Sequence, residues 1–184
     1  MLIKKMLNFS MKSTPLDDVF ILEKTKFEDH RGVFVKTFHA DVFDAFGLES
    51  AVKESYFSTS GQNVLRGMHY QKFPYGHSKC ISVIEGEILD VIVGIGGKYN
   101  DRNKGKVFST ILSAANNSSL YIPDGYAHGF FVLSERAIVL NQTTTVYNAE
   151  NDAGIHYDSF GFEWSVSNPI ISEKDALLPR FDMI

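Results

Sequence analysis

A single cysteine, five prolines and one tryptophan among 184 residues leave few of the usual shortcuts to structure and chemistry. Cys80 has no second cysteine to pair with, so an internally cross-linked scaffold is excluded and a reducing, cytoplasmic setting is expected. In an apolar run the lone thiol reads as packing rather than as a nucleophile. The opening Met-Leu-Ile-Lys-Lys-Met-Leu lacks the long apolar core of a secretory leader, and no run reaches the roughly 18 apolar residues that span a bilayer. No membrane association is expected. Positive charge is also scarce: 18 Lys and Arg against 22 Asp and Glu give a net charge of −4. The basic footprint of a nucleic-acid binder is missing, which points to a small molecule as partner.

What the chain does have is aromatic and β-branched side chains, with 15 phenylalanines and 8 tyrosines, and few segments of helical period. That composition predicts a mostly β protein. Strands are expected at 19–23, 33–38, 51–60, 80–84, 87–94, 106–112, 119–122, 129–133, 138–145 and 155–157. Their short length and the Gly, Pro, Asn and Asp between them suggest a sandwich or small barrel rather than βαβ units. Glu85-Gly86 reads as a two-residue hairpin turn. A short helix is expected at 41–46, and Ser172 is expected to cap a final helical turn. The length fits one domain over 1–184, with about the first 14 residues as a loose extension.

Chemistry concentrates in Val64-Leu65-Arg66-Gly67-Met68-His69-Tyr70-Gln71, followed by Lys79 and Asp90. Ionisable residues recurring inside apolar strands either line a polar cavity or cost several kcal/mol, roughly 2–7 for each unpaired polar group. Strand alternation aims His69 away from Met68 and Tyr70, toward the face of Gly67 and Gln71. His128, between Ala127 and Gly129, is a second candidate, since small neighbours allow a ligand or another backbone close by. His77 and His30 read as exposed loop residues. A metal-binding barrel needs paired ligands such as His-x-His; here the third position is Gln71 and a lysine follows, so neither a metal nor another cofactor is expected. A histidine base with a lysine suits proton abstraction beside a carbonyl, where the cation holds the developing enolate.

Seven segments in order resemble the dTDP-4-dehydrorhamnose 3,5-epimerase family: Asp29-His30-Arg31-Gly32-Val33-Phe34, Val64 to Gln71, Lys79, Gly86 to Val91, Ile122 to Phe130, Tyr147 with Glu150, and Ile171-Ser172-Glu173-Lys174-Asp175. The resemblance implies an all-β, cupin-type jelly-roll β-barrel with short peripheral helices, a homodimer, and chemistry without a metal. It makes His69 the base, Asp175 its dyad partner and Lys79 the enolate clamp. Asp90 and His128 become a polar pair lining the barrel, Gln71 a substrate contact and Tyr147 a wall of the site. Arg66 and Arg31 resemble binders of the nucleotide diphosphate, and one arginine of the family reaches across the dimer, a role that fits Arg31.

The departures bear on specificity. Family members that invert both C3 and C5 carry a tyrosine acid where this chain has Asn141, and an amide is no acid. Inversion at C3 is therefore expected, with C5 left open, since Tyr147 or Tyr126 is an alternative source of the acid. The family's Gln-x-Asn-x-Ser reads here as Glu54-Ser55-Tyr56-Phe57-Ser58, and Lys36 stands where a glutamate is usual. Thymidine is then open to question, and a GDP-linked 4-keto heptose joins the dTDP-linked 4-keto sugars as a candidate substrate, with Glu54 facing guanine donors. A 3,4-ketoisomerase using the same enolisation and a non-catalytic sugar-binding jelly roll are the competing readings.

Overall fold

The computed structural model describes residues 3–96, 101–164, 166 and 168–184. Along the chain, strands β1 (Ile3–Met6), β2 (Phe9–Ser13), β3 (Phe20–Lys24), β4 (Lys26–Asp29) and β5 (Gly32–Val35) precede helix α1 (Ala40–Phe46). There follow β6 (Glu54–Gly61), β7 (Leu65–Gln71), β8 (Lys79–Glu85), β9 (Glu87–Gly94), β10 (Val107–Ser113), β11 (Ser118–Ile122), β12 (Tyr126–Val132), β13 (Arg136–Thr143), β14 (Asp152–Gly154) and helix α2 (Glu173–Ala176). Seven strands form one sheet in the order β1-β2-β3-β11-β8-β13-β6, and five form another in the order β10-β9-β12-β7-β14. β4 and β5 pair only with each other. The two large sheets face one another as a cupin-type jelly roll.

Alternation decides what lies between the sheets. Along β13, Ala137, Val139, Asn141 and Thr143 are buried while the residues between them are not, or only partly. The inner faces meet in an apolar core that includes Val83, Ile88, Leu120, Phe130, Val132 and Val139. Toward one end of the barrel the same strands change character: β8 runs from Val83 and Ile81 to Lys79, and β13 from Val139 to Asn141 and Thr143. Lys79, Thr143 and Glu54 lie side by side in cross-strand register, as do Ile81, Asn141 and Tyr56. The core thus plugs one end and leaves a polar cavity at the other.

Both outer faces are covered. Val42, Phe43 and Phe46 of α1 pack with Phe9, Met11 and Cys80 on the seven-stranded sheet, while Trp164, Ile155 and Met68 belong to the cover of the five-stranded one. The opening residues, expected to be loose, instead form β1 and β2 from Ile3 to Ser13, because alternation places Phe9 and Met11 under that helix. Glu85-Gly86 is not a hairpin turn: β8 pairs with β11 and β13, β9 with β10 and β12, so the chain crosses from one sheet to the other there. Gly86 does take the positive φ expected, at 79°. The strand expected at 155–157 lies earlier, over Asp152–Gly154; Ile155 still exchanges main-chain hydrogen bonds with Met68, but the His156 amide turns to Pro179. Helix α1 and the Ser172 cap, whose hydroxyl accepts from the Asp175 amide, fall where expected. Among the described residues no helix is long and apolar enough to cross a membrane.

Candidate active site

The cavity at the open end holds about 300 Å³, within the range of small-molecule sites. His69 stands on β7 and reaches it because β7 and β12 approach closely: a Cβ on Gly67 would lie 2.5 Å from the Gly129 Cα, and one on Gly129 2.8 Å from the Arg66 carbonyl. Glycine at both positions lets the strands close at the irregularity between His128 and Phe130. His69 is cross-strand partner to His128 there, on the inner face.

Asp175 comes to His69 from the far end of the chain. Ser172 starts α2, which sets the Asp175 carboxylate against β7, with Oδ2 accepting from the Gly67 amide at 3.2 Å and Oδ1 lying 2.7 Å from His69 Nε2. A carboxylate only accepts, so Nε2 carries hydrogen and Nδ1 is the basic nitrogen. Burial pushes the Asp175 carboxyl up, but the hydrogen bond and charge of His69, helped by the Gly67 amide, outweigh it and hold the group below the usual carboxylate range. It stays ionised behind the imidazole.

Lys79, on the opposite sheet, is buried and donates to the His69 carbonyl at 3.1 Å. Burial lowers its ammonium to about 8, against the opposing charges of Asp90 and Asp152. Deeper in the barrel His128 Nε2 donates to Asp90 Oδ2 at 2.9 Å, both groups being buried, and Asp90 Oδ1 has no hydrogen-bond partner among the described residues. These five residues come together as the sequence implied.

Others sit differently. Gln71 lines the cavity, yet its amide is engaged by protein: Oε1 accepts from the Asn148 amide, and Nε2 faces the Tyr75 and Val146 carbonyls and His77 Nδ1. It orders the rim rather than presenting a free group. Glu54 accepts from the Tyr147 amide at 2.7 Å, inside the cavity, whereas Asn141, buried on β13 beside Tyr56, is not among the residues that line it. Arg66 is exposed, with Nε donating to Ser60 Oγ, and Arg31 lies in the turn between β4 and β5, paired with Asp29. Neither arginine lines this cavity.

Six lining residues were not singled out from the sequence: Tyr56, Tyr70, His77, Thr143, Asp152 and Lys174. His77, expected to be exposed, is half-buried, and burial with the nearby Lys79 charge lowers it to about 3, so it is neutral. Asp152 joins Lys174 and the Tyr147 hydroxyl, tying α2 to the rim. Period-two alternation puts Tyr56 on the face of Glu54 and Ser58. Cys80 points into the outer cluster, its thiol pushed by burial to about 11, and is no nucleophile.

A histidine oriented by a carboxylate, a partly desolvated ammonium and phenols around one cavity of a jelly roll define an isomerase that works by proton transfer at carbon. Residues 13–183 match the family model described as dTDP-4-dehydrorhamnose 3,5-epimerase, and the chain belongs to that family, a nucleotide-sugar epimerase. It is 39% identical over 171 residues to the dTDP-4-dehydrorhamnose 3,5-epimerase of Shigella flexneri, covering 91% of this chain and 93% of that one. A dTDP-4-dehydrorhamnose 3-epimerase of Streptomyces niveus is 28% identical over 155 residues, covering 82% and 74%. The crystal structure of dTDP-6-deoxy-D-glucose-3,5-epimerase from Legionella pneumophila in complex with dTDP-4-keto-L-rhamnose superposes with a TM-score of 0.89 at 32% identity, covering 96% of this chain and 94% of that one.

Proposed function

We propose that this epimerase takes a dTDP-linked 4-keto sugar, with His69 Nδ1 removing the proton from the carbon beside the carbonyl and Lys79 holding the enolate oxygen. The observation that carries the reading is the 2.7 Å His69–Asp175 contact with the Lys79 ammonium 3.1 Å from the same residue's carbonyl. Asp175 fixes the tautomer that makes Nδ1 basic, and the His128–Asp90 pair keeps the cavity floor polar. Glu54 supports thymidine over guanine by its position: one of its oxygens already accepts from Tyr147, within the sugar cavity. The dTDP named for the relatives above supports the same choice. The active unit is a homodimer in which Arg31, at the tip of an exposed hairpin, meets the diphosphate in the partner's site, while Arg66 serves its own.

In D₂O the enzyme is expected to introduce deuterium at the carbon it inverts. His69→Ala should lower that exchange by 10²–10⁴-fold, the usual worth of a general base, and Asp175→Asn by a lesser factor. Exchange at the wild-type rate in His69→Ala would remove the histidine from its role. A product with its carbonyl moved to C3 would instead identify a ketoisomerase, and the absence of any exchange would leave a binding protein.

A further inference from the structure

Inversion needs a proton delivered to the face opposite the base, and the two sheets define those faces. His69 stands on the five-stranded sheet, so an acid for the opposite face belongs on the seven-stranded one. Tyr147 donates its hydroxyl to Asp152, Lys174 is paired with the same carboxylate, and His77 is neutral with Nδ1 facing Gln71. Tyr70 touches the cavity but packs against the outer cluster and stands on β7, the strand of the base, and the Lys79 ammonium reaches across to the His69 carbonyl, on the same side. Tyr56 remains. It lies on β6, lines the cavity, and its hydroxyl makes no hydrogen bond among the described residues. It is the direct cross-strand neighbour of Asn141, whose amide has no acidic proton, so of the two only Tyr56 has one.

We infer that the Tyr56 phenol is the catalytic acid that completes inversion, an assignment that rests on the epimerase reading above. His69 takes the C–H proton, and the electron pair of that bond becomes the enolate double bond, with charge on the C4 oxygen. The enolate then takes the phenol's proton on its other face and the C4 carbonyl re-forms. The imidazolium releases its proton to solvent and the phenolate regains one, so nothing is consumed. Burial, with the charges of Glu54 and Asp152 close by, raises the phenol above its ordinary range, which keeps it protonated between turnovers. With this acid in place, the amide at Asn141 does not confine inversion to C3, and both C3 and C5 are open to it.

The test follows deuterium and stereochemistry together in D₂O, with dTDP-4-keto-6-deoxy-D-glucose as the probe. Tyr56 is 46% exposed, so Tyr56→Phe should fold normally. In that variant His69 returns a solvent deuteron to the face it came from: exchange into recovered substrate persists, while inverted product falls about 100-fold or more, the scale of a lost general acid. Tyr147→Phe should keep the wild-type ratio of inversion to exchange. Tyr56→Phe that inverts at the wild-type rate, or a loss of inversion that follows Tyr147→Phe instead, overturns the assignment. Wild-type protein that exchanges no carbon-bound hydrogen refutes the epimerase reading itself, and the two failures are thereby distinguished.

Discussion

Near neutral pH the Lys79 ammonium keeps its charge by a narrow margin, because burial has brought it down to about 8. In the proposed mechanism its task is electrostatic, so kcat/KM should fall tenfold per pH unit above that value, giving an alkaline limb in the pH profile. Lys79→Gln should lower kcat by about 10²–10³, the worth of one oxyanion donor, and abolish the limb near 8. A limb that survives in Lys79→Gln would belong to another group. His69, Lys79, Asp90 and His128 were legible in the sequence because each interrupts an apolar strand, and Asp175 came from its motif. Tyr56 and His77 were not, for different reasons. A tyrosine in a strand looks like any other aromatic until its neighbours across the ladder are known, and the half-burial of a loop histidine depends on Gln71 and the cavity wall closing over it.

Elements are where local reading and tertiary context parted. Most strands fell where alternation put them, since period two and turn residues are local. The partner of each strand is not. Glu85-Gly86 carries the chemistry of a hairpin, yet β8 and β9 enter different sheets, and only the pairing partners reveal this. The same turn is a demanding one: a Cβ on Gly86, at φ 79°, would lie 2.0 Å from the Arg136 carbonyl. Gly86→Ala should therefore destabilise the fold by about 2 kcal/mol or more, the sum of left-handed strain and a backbone clash, measured by urea denaturation. Stability within 0.5 kcal/mol of wild type would show that the turn relaxes. Strand pairing also sets a phenol beside the amide of Asn141: Tyr56 faces it across the ladder.

On the scale of the whole molecule, the β4–β5 hairpin stands apart from both sheets with Phe27, Val33 and Phe34 exposed. Apolar side chains left bare on a two-stranded ribbon suit a contact with a second copy. If the proposed dimer forms through this ribbon, Phe34→Asp should shift the protein toward monomer in sedimentation velocity and, by withdrawing Arg31 from the neighbouring site, raise KM more than it lowers kcat. An unchanged dimer would place the interface elsewhere. The crossing of the chain between sheets at Gly86 has one more consequence. Base and proposed acid sit on separate sheets of the jelly roll, with the apolar core packed between them. The handedness of the sugar that leaves is therefore written in how thickly that core is packed. A core substitution outside the cavity lining, such as one at Val139, would show itself as a change in the stereochemical purity of the product before it shows as lost turnover.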